Sequence, residues 1–212
     1  MGTGFYQSYD RMIRQACPGY DYCLNLIAEN IPSNIISVLD LGSGTGNLAQ
    51  YILKIRSGIK ICGIELQQTL VEIASKKITS PNVSFIQGDI LKLDWPNAEC
   101  VTSSLTIHHF TQKQKEDVFR KVYHSSRCFL YFDRLKGSSK AEEKQNLEFL
   151  FNHMRKAGLS EETIREAKTE MEKNDKPLTV RQLNRLLKSV GFDYEVLYLK
   201  NGFAVYSCTK KE

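Results

Sequence analysis

Three acidic residues in this sequence each stand just past a short apolar run. Asp40 follows Ile35-Ile36-Ser37-Val38-Leu39, Glu65 follows Ile59-Lys60-Ile61-Cys62-Gly63-Ile64, and Asp89 follows Val83-Ser84-Phe85-Ile86-Gln87-Gly88. Behind Asp40 comes Gly42-Ser43-Gly44-Thr45-Gly46, where glycines permit a tight turn and let backbone N–H groups approach a ligand closely. The turn is not the dinucleotide pattern G-x-G-x-x-G, because its third glycine comes one residue early, and no Lys-Ser or Lys-Thr pair makes it a P-loop. An anion at Asp40 would repel phosphate and suits a cation, such as the amino group of an amino acid. Glu65 lies roughly 20 residues further on, where a doubly wound sheet places a carboxylate to accept two vicinal ribose hydroxyls. A plain strand-turn-helix corner explains the glycines equally well when they are taken alone. The further acidic strand ends at the same periodicity decide against it.

The elements that must position these groups are legible from periodicity. The runs before Asp40, Glu65 and Asp89 have the length and β-branched content of buried strands. After the turn, Leu48, Tyr51, Ile52 and Ile55 recur at helical spacing, as do Leu70, Val71, Ala74 and Ile78. Glu99 to Leu105 reads as a fourth strand, and Thr106-Ile107-His108-His109-Phe110 follows it. An imidazole titrates near neutrality, so His108 is a candidate general base, with Ser104 beside it. Gln112 to Ser125 is an amphipathic helix and Arg127 to Phe132 a fifth strand. Lys140 to Lys176 is rich in Glu and Lys and helical in propensity, with stripes through Leu147, Leu150, Phe151 and Met154, then Leu159, Ile164, Ala167 and Met171. A helix opening at Thr179 and two strands joined at Asn201-Gly202, a hairpin signal, finish the chain. Ahead of the sheet, residues 1–32 hold two short helices broken at Pro18-Gly19, and Tyr9 is expected to fold over the ligand as part of a lid.

Composition excludes several classes. Among 212 residues, 42% are hydrophobic, enough for a real core, and no stretch approaches the roughly 20 apolar residues of a membrane span. The first residues lack the charged and apolar regions of a signal peptide. Six cysteines are scattered without CxxC or a Cys/His grouping of zinc type, so reduced thiols in a cytoplasmic protein are expected, and no metal. The net charge of +5 is spread among Lys, Arg and Glu on helices, which reads as a solvated surface rather than a nucleic-acid patch.

The motif Val38-Leu39-Asp40-Leu41-Gly42-Ser43-Gly44-Thr45-Gly46 resembles the first motif of class I S-adenosylmethionine (SAM) dependent methyltransferases. That resemblance implies a Rossmann-like α/β fold, a seven-stranded mostly parallel sheet closed by an antiparallel C-terminal hairpin, with a helical cap. It implies SAM as cofactor: Gly42, Ser43 and Gly44 around the methionine part, Asp40 near its ammonium, Glu65 on the ribose and Leu66 flanking it. The Gly88-Asp89-Ile90 step is similar to the one in these enzymes where the carboxylate accepts from the adenine amino group and the next N–H donates to the ring. In this fold the segment after the fourth strand faces the methyl donor, which makes Ser104 a cofactor contact as well and aims His108 at the acceptor. Two further stretches, Tyr9 to Tyr20 and Leu150-Phe151-Asn152-His153-Met154, are similar to bacterial carboxy-SAM synthases. Those enzymes convert SAM and prephenate to a carboxymethyl sulfonium for tRNA wobble-uridine modification, and hold the extra carboxylate with a cap arginine. Lys168 aligns there with Arg165 nearby, and Lys lacks the bidentate fork of Arg.

The expectation is therefore a lid at 1–32, a SAM-binding core at 33–136, a cap at 137–178 and a closing helix and hairpin at 179–212. Methyl transfer to a small-molecule acceptor ranks first, with Arg14, Arg165 and Lys168 as substrate-binding candidates. A carboxy-SAM synthase-like activity and a non-catalytic SAM binder are the alternatives. No membrane or nucleic-acid partner is expected, and the reading is compatible with a homodimer.

Overall fold

The computed structural model describes residues 3–211, with side chains from Asp10 onward. Seven strands form one sheet in the order β3-β2-β1-β4-β5-β7-β6. They are β1 (Ser37–Leu41), β2 (Lys60–Glu65), β3 (Val83–Gln87), β4 (Cys100–Ser104), β5 (Cys128–Arg134), β6 (Phe192–Lys200) and β7 (Phe203–Lys210). The first five pair in parallel, while β7 runs antiparallel to both β5 and β6. Parallel pairing requires a crossover between neighbours, and helices supply it. These are α3 (Asn47–Ile55) between β1 and β2, α4 (Gln68–Lys77) between β2 and β3, and α5 (Gln112–Ser125) between β4 and β5. The hairpin between β6 and β7 turns at Asn201 and Gly202, both at positive φ, as its Asn-Gly sequence predicts.

Side chains alternate between the two faces of the strands, so each strand feeds two cores. Val38, Ile61, Cys100, Leu130 and Val205 pack with α2 (Tyr20–Glu29) and α3. Leu39, Leu41, Ile64, Val101 and Phe129 pack on the other side with α5 and α8 (Val180–Val190). Both α5 and α8 start in a capping box, Thr111 with Gln114 and Thr179 with Gln182. The chain's reversal of direction between β2 and β4 leaves the carboxyl end of β1 as the switch point, where open α/β sheets bind ligands.

The two helical additions meet. α1 (Thr3–Ala16) packs against α6 (Lys140–Lys156), and Gln15 donates to the Ala157 carbonyl at 2.6 Å. Leu150 and Met154 of α6 and Ile164 of α7 (Glu161–Asn174) are buried in the same core as Cys17 and Tyr20. No helix among the described residues is long and apolar enough to cross a membrane.

Candidate functional site

The carboxyl ends of β1, β2 and β3 bring Asp40, Glu65 and Asp89 to one edge, as the spacing predicts. Asp40 is almost fully buried; its Oδ1 accepts from the Thr102 hydroxyl of β4 at 2.9 Å, and its Oδ2 is buried without a partner among the described residues. Burial, opposed by the Thr102 hydrogen bond and helped by the nearby charge of Glu65, pushes its carboxyl up to about 7. The Ser43 hydroxyl two residues past β1 is likewise buried without a partner. Unpaired buried polar atoms cost free energy, and these two stand three residues apart at the glycine turn.

The glycine turn divides its work. Gly42 and Ser43 donate their N–H groups to the Ile64 carbonyl at 2.9 and 3.0 Å, which fixes the turn to β2. Their amides therefore anchor the loop. Gly42 has φ +72°, and a Cβ there would lie 2.2 Å from the Thr106 Oγ1, so only glycine fits. At Gly44 a Cβ would meet nothing within 4 Å: the turn opens there. Glu65 is buried, its two oxygens accepting from the Gly44 and Gln67 N–H groups, each at 3.0 Å. Two backbone donors aim this carboxylate and leave further lone pairs for hydroxyls. Next to it Leu66 is 63% exposed. Asp89 is half-buried; its Oδ1 accepts from the Leu91 N–H at 2.9 Å and Lys92 lies 3.4 Å from Oδ2. Ile90 beside it is buried.

The donor set fits SAM on these observations. Carboxylates on consecutive strand ends match a ligand with an ammonium, vicinal hydroxyls and an exocyclic amine. The unpartnered Asp40 and Ser43 oxygens and the opening at Gly44 lie where such a ligand would meet the turn.

Ser104 ends β4 half-buried, and Leu105 follows it at φ +50°, an unusual conformation for a branched side chain. Thr106 ties this segment to the turn by donating to the carbonyls of Ser104 (3.0 Å) and Gly42 (3.3 Å). His108 is placed differently from expectation. Its Nδ1 meets Asp133 Oδ1, its backbone N–H donates to Asp133 Oδ2 at 2.8 Å, and its Nε2 faces Asp175 at 3.7 Å. Burial would lower its pKa, but Asp133 and Asp175 outweigh that and raise it. With a carboxylate against each ring nitrogen, His108 is positioned by the fold rather than offered to an acceptor as a base.

The three basic candidates are also corrected. Arg14 is committed to Asp21 at 3.0 Å and to the Asp10 carbonyl at 2.8 Å. Arg165 is exposed and donates to the Glu161 carbonyl of its own helix. Lys168 is exposed, 3.9 Å from Glu172, in a groove of about 840 Å³ with Lys136, Lys140 and Lys144 that contains none of the strand-end carboxylates. The side chain of Tyr9 lies outside the described residues.

Sequence reasoning missed Asp10. From α1 it accepts from the Thr45 hydroxyl, from Asn47 at 2.9 Å and from Lys77 at 2.8 Å, latching the N-terminal helix onto the glycine turn. Burial opposes ionisation of Asp10, but Lys77 and the hydrogen bonds win and hold its carboxyl below the usual range. No local pattern marks a latch between residues this far apart in the chain.

Comparison with known proteins agrees with this geometry. Residues 38–127, from β1 to just before β5, match a family described as a methyltransferase domain. This stretch, a little under half of the chain, is similar to methyltransferase domains. The fold superposes on that of the S-adenosylmethionine-dependent methyltransferase SibL with a TM-score of 0.68 at 16% identity, covering 92% of this chain and 56% of that one. Human N-acetylserotonin methyltransferase in complex with SAM gives 0.64 at 18%, covering 90% and 52%. The chain thus spans little more than half of those two solved proteins. Its curated relatives align nearly end to end. A carboxy-S-adenosyl-L-methionine synthase of Nautilia profundicola is 26% identical over 95% of this chain and 90% of its own. One of Wolinella succinogenes is 26% identical over 96% and 90%.

Proposed function

We propose that this protein transfers the methyl group of SAM to a small-molecule acceptor. The observation that carries the reading is the row of carboxylates on β1, β2 and β3 around a glycine turn whose Asp40 Oδ2 and Ser43 Oγ lack partners. SAM supplies a methyl already activated on a sulfonium, so the protein's work is binding and orientation. Asp40 sits where the amino group would be met, and Gly44 gives the close backbone approach. Glu65, aimed by two N–H groups, takes the ribose hydroxyls; Asp89 and Ile90 take the adenine edge, and exposed Leu66 offers a flat apolar contact beside it. Ser104 lines the acceptor side of the turn. α1, α6 and α7 form the cap that keeps water out, an assignment supported by their shared core. The domain division follows: lid 1–32, core 33–136, cap 137–178, closing helix and hairpin 179–212. A cytoplasmic setting accords with six free cysteines. The interleaved surface charge supports a small acceptor rather than a nucleic acid.

A second reading, chemistry on SAM itself, is favoured by the end-to-end match to carboxy-SAM synthases. The outward placement of Arg165 and Lys168 weighs against it, since neither reaches the glycine turn to hold a carboxylate. Product analysis separates the two. Incubation with SAM and a panel of small acceptors should yield S-adenosylhomocysteine. A heavier sulfonium formed from SAM and prephenate without S-adenosylhomocysteine would establish the second reading, and neither product would leave a SAM binder.

A further inference from the structure

Beyond the carboxylate row, three segments converge on a second cluster. A short 3-10 turn, Ile107–His109, follows β4; Asp133 is the last residue but one of β5; and Asp175 caps the C-terminus of α7. His108 Nδ1 is held by Asp133, which also accepts from the Tyr131 hydroxyl at 2.9 Å and the Arg134 N–H at 2.9 Å. That contact fixes the ring so that Nε2 points away from Asp133 and toward Asp175 Oδ1 at 3.7 Å. His109 Nδ1 lies 3.1 Å from the same oxygen. The three atoms are all within 4.8 Å of one another.

The two spacings to Asp175 Oδ1 are those of a ligand set. Bonds of about 2.0–2.2 Å to imidazole nitrogen and carboxylate oxygen place tetrahedral ligand atoms roughly 3.3–3.6 Å apart, and 3.1 and 3.7 Å bracket that range. Asp133 behind His108 is the outer carboxylate that commonly orients a metal-bound imidazole. The cluster is also braced. Lys115, only 1% exposed, donates to the carbonyls of His108, Phe110 and Lys176, and the Lys176 N–H donates to the His108 carbonyl at 2.7 Å. Asp175 divides its oxygens: Arg134 Nε approaches Oδ2 at 3.9 Å and leaves Oδ1 to the histidines. His109 is half exposed, so an ion has a path in from solvent. An isolated His–Asp ion pair would account for His108, but not for a second imidazole on the same oxygen.

We propose that His108 Nε2, His109 Nδ1 and Asp175 Oδ1 bind a divalent first-row transition metal ion. Two imidazoles and one carboxylate suit Zn²⁺, Co²⁺ or Fe²⁺ rather than Mg²⁺ or Ca²⁺. Three protein ligands leave at least one coordination position open.

The test is a titration of the chelator-treated full chain with Co²⁺, followed in the visible range. One equivalent should give d–d absorption that a stoichiometric amount of Zn²⁺ abolishes. His109→Ala and Asp175→Asn should each weaken binding at least tenfold, while His124→Ala, on the exposed face of α5, should not change it. Zn²⁺ should also raise the Tm of the wild type and leave that of His109→Ala where it was. Because the His109 ring is half exposed, its removal tests the ligand rather than the fold. Absence of stoichiometric binding in the wild type would overturn the proposal, as would equal binding by wild type and His109→Ala.

Discussion

Asp40 and Asp133 both lie near the carboxyl end of a central strand, and both are buried to within a percent. They are treated in opposite ways. Among the described residues Asp40 receives a single hydrogen bond, from Thr102, keeps one oxygen without a partner, and has its carboxyl pushed up to about 7. Asp133 is surrounded by donors: the His108 ring and backbone, the Tyr131 hydroxyl and the Arg134 N–H. Burying a charge without partners is expensive, so the first arrangement persists only where something else completes it. The second is complete within the protein. The β1 end of the sheet thus keeps a buried carboxylate oxygen that the protein does not pair, and the β5 end is built as a rigid support.

That contrast is sharpest in what substitution should cost. Asp133→Asn, in chelator-treated protein, should lower stability by about 4 kcal/mol, because it strands the His108 contact in a buried site; thermal or urea unfolding measures it. Asp40→Asn should cost far less, near zero at pH 8, because it removes a charge the fold itself does not compensate. Equal losses at the two positions would break the comparison. Gly42→Ala should cost about 3 kcal/mol, from a positive φ and the overlap with Thr106, and lower Tm by about 8 °C.

A smaller effect separates the two ends by pH. Asp40 holds its proton more tightly in the folded chain than in the unfolded one, so its contribution to stability falls as pH rises from about 4 to about 7. A ligand ammonium favours the ionised form and reverses this for binding. SAM affinity should rise about tenfold between pH 6 and pH 8 and level off above, with uptake of the ligand releasing a proton. Calorimetry in buffers of different ionisation enthalpy reads that proton, and Asp40→Asn should flatten the profile. Smallest of all, Arg165→Ala and Lys168→Ala should change SAM affinity and turnover by less than about twofold, as exposed positions away from the row do.

The same contrast explains what could be read from sequence. The carboxylate row was legible because each member follows its own strand, and a strand, a turn and a helix write their signals locally: β-branched runs, glycines, then 3.6-residue spacing. The hairpin at Asn201-Gly202 and the helix start at Thr179 are visible for the same reason. The second cluster was not legible, since Asp175 reaches His109 only through the packing of α7, and Lys115 binds it from inside an apparently solvent-facing charge run. Arg14 illustrates the reverse error. Its place in the N-terminal segment made it a substrate-binding candidate, but a partner seven residues on, Asp21, takes its guanidinium. Periodicity reports which face a residue occupies and says little about which distant chain segment will meet it.

The most direct test of the central claim is calorimetric titration of SAM into the wild type and Glu65→Ala, both shown folded by circular dichroism. One site per chain is expected in the wild type, and a loss of about 100-fold in the variant, or ~2.7 kcal/mol, the scale of a pair of charge-assisted hydrogen bonds. Equal affinity in the two proteins, or no binding to the wild type, would contradict it.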